Sequence, residues 1–337
     1  PLAIIKLNRP NPAVFEVTAR NLSPDAKAVN LKLDVPQGWR VEPRTIDVNL
    51  ATSNRAETRR FSVRPPARMK EGAVSLRAVA SSAEGEVFDT GFAAISYPHI
   101  ATRHFYQPAA SDLSVMDVDL PVGLKVGYVM GVGDFVGFAT EQLGATVTYL
   151  TEEDLSSGEL DQYDVIILGV RAYLVRNDLI ENNAKLMEYV RRGGHMVVQY
   201  NKYEFLREQF APYPVHINRP HDRITVEDSP VKVLQVDHQL FTSPNKIRES
   251  DWANWVQERG LYFLGDWDSR FVPLLELQDP WPYNSAPKQG ALLFTEYGEG
   301  TYVYTGLAFF RQLPAGVPGA YRLWANLISL GKLRSRH

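Results

Sequence analysis

Five residues could form a ligand pocket, because each follows a short apolar run of the kind that forms a buried parallel strand. They are Asp134, Arg171, Tyr173, Tyr200 and Asn201. Ligands of open α/β sheets bind at the carboxyl ends of the strands, so we expect these side chains to share one sheet edge. Arg171 could bind an anion through its fork of donors, and Asn201 could hydrogen-bond a hydroxyl or an amide. A structural ion pair between Arg171 and Asp134 is the alternative.

Four of the six tryptophans lie close together in the chain, at Trp252, Trp255, Trp267 and Trp281. They are accompanied by Tyr262, Tyr283, Asp266, Asp268 and Asp279. Tryptophan and tyrosine offer a flat apolar face and a hydrogen-bonding edge, so this segment suits a glycan-binding surface or a protein interface. Packing of Trp252 and Trp255 on one helix face, three residues apart, is the third possibility. The sequence leaves all three open.

Two glycines after the first apolar run are compatible with a dinucleotide site but do not complete its motif. Gly131 and Gly133 are followed by Glu152 about twenty residues later, as the motif requires. The third glycine of the motif should stand where this chain has Val136. A tight turn between a strand and a helix explains the glycines as well, and we expect no cofactor.

Histidines and carboxylates occur in groups that could do chemistry. His216, His221 and Asp222 lie near one another, but the prolines around them indicate an irregular loop, not a helix that sets two metal ligands on one face. Asp251, Glu249 and Glu258 could include a general acid, yet no second carboxylate stands at a defined distance. We therefore expect no metal site and no catalytic residue in this chain.

The composition excludes several classes of protein. With no cysteine among 337 residues, the chain has no disulfide, no thiolate metal site and no cysteine nucleophile. A net charge of −3 gives no indication of nucleic-acid binding. No run approaches the roughly 18 apolar residues of a membrane-spanning helix. The chain begins at Pro1 without a charged and then apolar leader, so we expect a processed start or a piece of a longer protein.

Residues 1–97 predict an all-β sandwich of about seven strands. Apolar and polar side chains mostly alternate in five segments, which is the period of a strand with one buried face. These segments are Val14–Ala19, Val29–Leu33, Ile46–Leu50, Arg60–Val63 and Val74–Val79. Proline-containing turns separate several of them.

Residues 122–337 predict a doubly wound, flavodoxin-like α/β domain, because apolar runs alternate with helical patterns. Strands are expected at 124–130, 145–150, 164–168 and 195–199, and helices at 134–143 and 178–192. Further strands are expected at 261–264, 271–277, 290–296 and 301–307, before a last helix at 320–330. Residues 98–121, with several prolines, are interpreted as a connecting arm.

The first segment resembles the immunoglobulin-like modules attached to glycoside hydrolases, of the NPCBM-associated type. The resemblance rests on "RNLS" (Arg20–Ser23), "LDVPQGWRVEP" (Leu33–Pro43), "FSVRPP" (Phe61–Pro66) and "GAVSLRAVA" (Gly72–Ala80). Modules of this type space or dock a neighbouring domain and carry no catalytic residues.

The second segment resembles the class I glutamine amidotransferase-like fold, in its trehalose-utilisation-like branch. It does so in "YDVIILG" (Tyr163–Gly169), "YVRRGGHMVVQYN" (Tyr189–Asn201) and "YGEGTYVYTGLAF" (Tyr297–Phe309). Amidotransferases hold a cysteine on the turn that here contains Tyr200 and Asn201, and neither side chain can replace an activated thiol. The resemblance therefore implies the architecture without amidase activity.

A longer resemblance is to the C-terminal half of bacterial LmbE-like deacetylases of the PIG-L family. It is carried by "VGYVMGVGD" (Val126–Asp134), "ILGVRAYLVRNDL" (Ile167–Leu179), "VVQYN" (Val197–Asn201), "SPNKIRESDWANWVQERGLYF" (Ser243–Phe263) and "FFRQLPAGVPGAYRLWANLISL" (Phe309–Leu330). In that family a separate, earlier domain carries the zinc and its paired aspartates, which are not found here.

These resemblances imply a non-catalytic accessory region of an N-acetylsugar deacetylase, which positions the enzyme on a glycan-type substrate. The implied partners are a glycan and an upstream deacetylase domain of the same protein, and the implied location is periplasmic or secreted. Two alternatives remain open at this point. One is a stand-alone hydrolase that uses carboxylate and histidine groups at the sheet edge, and the other is a pure carbohydrate-binding module.

Overall fold

A computed structural model describes residues 3–282 and 285–334, so that Tyr283 lies outside the described residues. The chain divides into two compact units, Pro1–Asp117 and Val118–His337. Strands make up 38% of the chain and helices 20%, so the protein as a whole is β-rich. In the described part of the chain, no helix is both long enough and apolar enough to cross a membrane.

The first unit consists of eleven described strands. They are β1 (Ala3–Lys6), β2 (Ala13–Arg20), β3 (Lys27–Asp34), β4 (Arg40–Glu42), β5 (Thr45–Leu50), β6 (Ala56–Arg64), β7 (Gly72–Ser82), β8 (Val87–Phe88), β9 (Thr90–Tyr97), β10 (Ile100–Pro108) and β11 (Ala110–Met116). One sheet has the order β1-β11-β7-β3-β5 with β8 beside β7, a second has the order β2-β6-β4, and β9 and β10 form a two-stranded ribbon.

The two larger sheets share one apolar core, which makes the unit a β-sandwich. Leu31 of β3 and Leu113 of β11 come from one sheet, and Phe61 of β6 comes from the other; all three belong to one buried cluster. The neighbours of Leu31 and Phe61 along their strands are exposed or only partly buried, because successive side chains of a strand point to opposite faces. The sandwich expected from the alternating pattern is confirmed.

Residues 98–121 are not the connecting arm that the prolines suggested. Strand β11 lies inside the larger sheet, where it pairs with β1 on one side and with β7 on the other. Its last four residues, Leu113–Met116, are all buried, so the alternation typical of a strand with one exposed face is missing there. Pro108 ends β10, in a two-stranded ribbon where a missing backbone donor is tolerated.

The second unit contains the other strands and the helices. The strands are β12 (Lys125–Val129), β13 (Thr146–Tyr149), β14 (Val165–Leu168), β15 (His195–Gln199), β16 (Val215–His216), β17 (Asp222–Ile224), β18 (Val231–Val233), β19 (Gly260–Phe263), β20 (Asp266–Trp267), β21 (Val272–Pro273), β22 (Leu275–Leu277), β23 (Leu292–Tyr297) and β24 (Gly300–Thr305). The helices are α1 (Val136–Gln142), α2 (Glu152–Ser157), α3 (Ala172–Val175), α4 (Asn177–Glu181), α5 (Asn183–Arg191), α6 (Gln239–Thr242), α7 (Phe309–Gln312) and α8 (Pro318–Arg334).

A seven-stranded sheet of order β13-β12-β14-β15-β24-β23-β21 organises this unit. The first five strands are parallel, and β23 and β21 are antiparallel to their neighbours. Strands β14, β15 and β24 are buried along their whole length, and all four residues of β14 and the middle three of β15 are apolar. Three short two-stranded ladders, β16 with β20, β17 with β19 and β18 with β22, lie outside this sheet.

Helices α5 and α8 pack on opposite faces of the sheet. The His195 ring of β15 lies 2.7 Å from the Leu327 carbonyl oxygen of α8, measured from Nε2. The next residue, Met196, belongs to the same buried cluster as Leu186 and Tyr189 of α5. Since adjacent strand residues point to opposite faces, one helix covers each face of β15.

The helix expected at 178–192 is interrupted. Asn182 has φ −102° and ψ 10° and separates α4 from α5. Its side-chain amide donates to the Asp178 carbonyl oxygen at 2.8 Å, a local bond that competes with the helical pattern. The short helices α2, α3, α6 and α7 were not expected, because their four to six residues give too little periodicity.

Candidate functional site

The carboxylate of Asp134 connects the turns that follow β12 and β14 through hydrogen bonds. Its Oδ1 accepts hydrogen bonds from the Tyr128 hydroxyl at 2.6 Å and from the Val136 N–H at 2.9 Å. Its Oδ2 accepts the Val170 N–H at 3.1 Å. The carboxylate oxygens are therefore occupied by the chain itself, and Asp134 acts as a structural acceptor.

The glycine after β12 allows two turns to touch. A Cβ atom on Gly131 would lie 1.9 Å from the Val170 carbonyl oxygen, which itself accepts the Val132 N–H at 3.0 Å. Only a residue without a side chain permits this approach. The tight turn thus accounts for Gly131, and the space that a ligand would need between the turns is filled by backbone.

Arg171 pairs with Glu204, so the expected pairing with Asp134 is wrong. Its Nε donates to Glu204 Oε1 at 2.9 Å, and its backbone N–H donates to the Tyr200 carbonyl oxygen at 3.0 Å. Burial by itself would raise the pKa of Glu204, but the hydrogen bonds from Arg171 and from backbone N–H groups bring it below its usual value. Glu204 is therefore charged at neutral pH and holds Arg171 in place.

Tyr173 and Asn201 belong to the core, so their expected place in a ligand pocket is wrong. The Tyr173 hydroxyl donates to Asn183 Oδ1 at 2.6 Å, and its ring stacks on Phe210 with centroids 4.4 Å apart. Asn201 is fully buried; it accepts the Tyr173 N–H at 3.4 Å and donates to the Gln199 carbonyl oxygen at 3.0 Å. Both side chains are satisfied by the protein.

Tyr200 lies at the sheet edge in a group of aromatic rings, although it and Tyr262 are each only 8% exposed and belong to the same buried cluster as Tyr173. Its ring is nearly parallel to that of Tyr262, with centroids 5.9 Å apart and an angle of 11°. The imidazole of His221 stacks on Tyr262, with ring centroids 3.8 Å apart and an angle of 6° between the rings. Phe310 lies 5.5 Å from Tyr200, and Tyr203 lies 5.9 Å from Tyr262.

Charged side chains surround these rings. Glu258, which is buried, accepts Arg311 Nε at 2.9 Å on one oxygen and Arg223 Nη2 at 2.7 Å on the other. Lys202 Nζ lies 5.1 Å from the centre of the Tyr262 ring. We call this arrangement at the carboxyl ends of β14, β15 and β24 the edge site. Its members are Arg171, Tyr200, Lys202, His221, Tyr262 and Arg311.

Backbone strain is concentrated at the edge site. Five non-glycine residues of the described chain have a left-handed backbone, and they are Asn54, Arg171, Asn254, Gln257 and Tyr262. Two of the five are members of the site, and Gln257 bonds the Arg311 guanidinium. Tyr262 has φ 52° inside a strand, a conformation that costs an aromatic residue about 1–3 kcal/mol. Strain of this kind persists where surrounding contacts enforce it, and it is common at functional sites.

Connections between distant segments create the site. The Leu261 N–H donates to the Gly306 carbonyl oxygen and the Ala308 N–H to the Arg259 carbonyl oxygen, both at 2.9 Å, which docks β19 against the end of β24. The Tyr304 hydroxyl donates to the Tyr262 carbonyl oxygen at 2.8 Å and fixes the strained residue. Sequence reasoning noted Tyr262 only as a companion of the tryptophans, because nothing local marks its left-handed backbone.

His221 is a neutral member of the site at pH 7. Burial lowers its pKa, and the positive charges of Arg223 and Lys202 lower it further. Its neighbour Asp222 forms an ion pair with Lys288 at 2.7 Å, and His216 is exposed in β16. In residues 3–282 and 285–334, no three His, Asp or Glu side chains are grouped so as to hold a metal ion.

The tryptophans do not form one surface. Trp252 and Trp255 are buried with ring centroids 5.7 Å apart, and Trp255 Nε1 donates to the Asp251 carbonyl oxygen at 3.0 Å. Trp267 is partly buried against the core, whereas Trp281 is 83% exposed. Of the three interpretations, packing therefore holds for Trp252 and Trp255, whereas a glycan or partner surface at Trp267 and Trp281 stays a prediction.

Comparison with known proteins identifies a module in the first unit. Residues 9–82 match the family model described as NPCBM-associated, NEW3 domain of alpha-galactosidase. The N-terminal region therefore contains a NEW3 domain, as the resemblance in the sequence indicated. No curated protein matches the chain.

Several solved structures are similar to the chain at low identity. The cold-adapted β-galactosidase from Rahnella sp. R3 has 12% identity and a TM-score of 0.33 over 65% of this chain and 32% of its own. Gan42B, a GH42 β-galactosidase, has 15% identity and a TM-score of 0.30 over 58% and 29%. The periplasmic chaperone SfaE has 8% identity and a TM-score of 0.22 over 37% and 62%. The chain thus spans less than two thirds of each.

Proposed function

We propose that this chain is a non-catalytic accessory region of a bacterial LmbE-like N-acetylsugar deacetylase and that it binds a glycan-type ligand. The NEW3 domain supports the carbohydrate-related role, because the family model that matches is associated with alpha-galactosidase. The stretches that resemble LmbE-like proteins, such as Ser243–Phe263 and Phe309–Leu330, are the reason for proposing this parent enzyme. A periplasmic or secreted location and an upstream deacetylase domain belong to the same proposal.

The second unit is, in this proposal, a doubly wound domain of the class I amidotransferase-like type. Five neighbouring parallel strands and helices on both faces of β15 support it. The strand order, in which the chain first adds β13 on one side of β12 and then β14 and β15 on the other, is that of flavodoxin-like sheets.

The turn after β15 carries the argument against catalysis. A nucleophile at this position would have to be exposed and activated by a base. Asn201 is instead fully buried and hydrogen-bonded. Burial raises the pKa of the Tyr200 hydroxyl, so it stays protonated at neutral pH. Neither Tyr200 nor Asn201 has a left-handed backbone, so the turn shows no sign of the strained elbow that exposes a nucleophile in α/β-hydrolases.

The edge site is the best candidate for the ligand. It combines flat rings with charged and hydrogen-bonding groups, a composition suited to saccharides. Its strained Tyr262 and Arg171 are held by several contacts, so the site is preorganised.

Calorimetry and an acetate-release assay on the purified chain test this function. With N-acetylated chito-oligosaccharides we expect binding, without release of acetate or turnover of chromogenic esters and glycosides. Tyr262→Ala should abolish binding, whereas Trp281→Ala, which removes an exposed ring elsewhere, should leave it intact. Turnover that is lost in Glu258→Gln would replace the proposal with a stand-alone hydrolase. Binding lost only in Trp281→Ala would assign the role of a surface-type carbohydrate-binding module.

A further inference from the structure

We propose that the edge site recognises an acidic substituent, a carboxylate or a sulfate ester, on its saccharide ligand. This inference rests on the proposed glycan binding and specifies the chemical class of the ligand. It follows from the balance of charges at the site, from which of those charges are already paired, and from the rings that hold them.

Positive charge is concentrated at this edge of the sheet, although the second unit as a whole has more acidic than basic residues. Over residues 118–337 the sequence has 27 Asp and Glu against 21 Lys and Arg. Around the rings, however, five cations face two carboxylates of neighbouring strand ends. The cations are Arg171, Lys202, Arg219, Arg223 and Arg311, and the carboxylates are Glu204 and Glu258. An excess of about three positive charges at one spot of an acidic unit favours an anionic ligand.

The carboxylates of the site have no capacity left for the remaining cations. Glu204 is held by Arg171 Nε and by the Lys202 N–H, and Glu258 lies between two arginines. Asp222, which follows His221 in the chain, is paired with Lys288. In the described part of the chain, the Arg171 Nη groups and Lys202 Nζ donate to no acceptor. These groups are therefore available to an incoming anion.

Aromatic faces hold the cations in position. Lys202 Nζ lies over Tyr262 at 5.1 Å, the Arg219 guanidinium over Tyr203 at 4.0 Å and that of Arg311 over Phe310. A cation over a ring keeps its stem packed and loses less conformational entropy when it binds. The planar fork of arginine matches the oxygen geometry of carboxylates and sulfate esters. A sugar that bears such a group would set its apolar face against Tyr203 and Phe310, the rings of the group that are only partly buried.

The test compares three oligosaccharides of equal length by calorimetry on the full chain. One is neutral, one carries a uronate carboxylate and one carries a sulfate ester. We expect the better of the two acidic ligands to bind at least about tenfold more tightly than the neutral one, the ratio given by one charge-assisted hydrogen bond of about 1.4 kcal/mol. The carboxylate and sulfate arms identify which anion the site prefers.

Charge variants locate the effect. Lys202→Gln should lower the affinity for the acidic ligand at least about threefold more than the affinity for the neutral ligand, because it removes one cation from the site. Lys246→Gln removes the same charge from an exposed position outside the site and serves as the matched control. Circular dichroism and thermal unfolding of each variant verify folding.

Two results would disprove recognition of an acidic substituent. Both can be distinguished from failure of the proposed glycan binding. Equal affinity for neutral and acidic ligands, all lost in Tyr262→Ala, would disprove acidic recognition and leave glycan binding in place. An acidic preference that Lys202→Gln and Lys246→Gln reduce equally would mean a general charge effect, not a site. If no saccharide binds, acidic or neutral, the proposed function fails together with the inference.

Discussion

The guanidinium of Arg171 and the carboxylate of Glu204 join the ends of two parallel strands, through a bond of 2.9 Å between Nε and Oε1. Arg171 follows β14, and Glu204 lies in the 3-10 turn after β15. The Glu204 side chain is only 5% exposed and that of Arg171 is 22% exposed, so water screens the pair weakly. The pair therefore holds the Arg171 side chain in place at the edge site, although Arg171 itself has a strained backbone conformation.

We expect Arg171→Ala to destabilise the chain more than Arg171→Gly does. Both changes leave the buried Glu204 carboxylate without its partner, which costs about 3 kcal/mol. Glycine accepts the left-handed φ of 53° without penalty, so Arg171→Gly should recover about 1 kcal/mol of that loss. Urea unfolding at pH 7 measures the difference. Equal losses for the two variants would contradict the strain assigned to this residue.

The two glycines of the turn after β12 should respond differently to alanine. In Gly131→Ala the new Cβ would meet the Val170 carbonyl oxygen at 1.9 Å, so the turns after β12 and β14 must separate. We expect a loss of about 3 kcal/mol or more, the size of a strong overpacking effect. Gly133→Ala adds a Cβ in open space and costs only about 1 kcal/mol for its φ of 98°. Thermal unfolding of both variants measures the two losses of stability. Comparable losses would contradict the conclusion that close packing requires glycine at position 131.

The elements that could be predicted from the sequence are those whose pattern is local. Strands β2, β3 and β5 alternate apolar and polar residues, and β12, β14 and β15 are short apolar runs between turn signals, so their expected places agree with the structure. Strand β11 was missed, because Leu113–Met116 is buried without alternation and its partners β1 and β7 are remote in sequence. Non-local pairing leaves no periodic signal.

The sequence predicts which edge of the sheet carries the candidate site, but not which side chains form it. The rule that strand ends carry function led to Arg171 and Tyr200, which do lie there, but also to Tyr173 and Asn201, which turn into the core. The other part of the site, around Tyr262, is brought in by the long connection between β15 and β23. Its position depends on backbone bonds between β19 and the end of β24, and no local pattern predicts such docking.

Replacing the tryptophans one at a time should separate core from surface. Trp255→Ala removes a ring that is 3% exposed and packs on Trp252 and Phe309, so we expect a loss of about 3–5 kcal/mol. Trp281→Ala removes a ring that is 83% exposed and should change the free energy of unfolding by no more than about 0.5 kcal/mol. Chemical denaturation followed by circular dichroism compares the two. A small loss of stability in Trp255→Ala would mean that this ring does not support the core and could belong to a binding surface.

His195 should make the second unit sensitive to acid. Burial lowers the pKa of its imidazole to about 4, against 6.5 for an unperturbed histidine. The ring is held in its neutral form, because Nε2 donates to the Leu327 carbonyl oxygen at 2.7 Å and Nδ1 accepts the Thr301 hydroxyl at 2.8 Å. A pKa lowered on folding means that the unfolded chain takes up the proton first, so acid favours unfolding.

The expected window for this loss lies between pH 6.5 and pH 4. Above it His195 is neutral in both states and contributes no pH dependence; across it the stability falls by about 3 kcal/mol in total, from 1.36 kcal/mol per pH unit. His195→Gln removes this titration, although it lowers stability at pH 7 by disturbing two buried bonds. Other groups titrate alike in both proteins, so urea unfolding at several pH values isolates the His195 share as the difference between the two curves. Parallel curves from pH 7 to pH 4 would mean that His195 is protonated in the folded chain, whereas convergence on acidification would show that its burial as a neutral ring sets the acid limit of the unit.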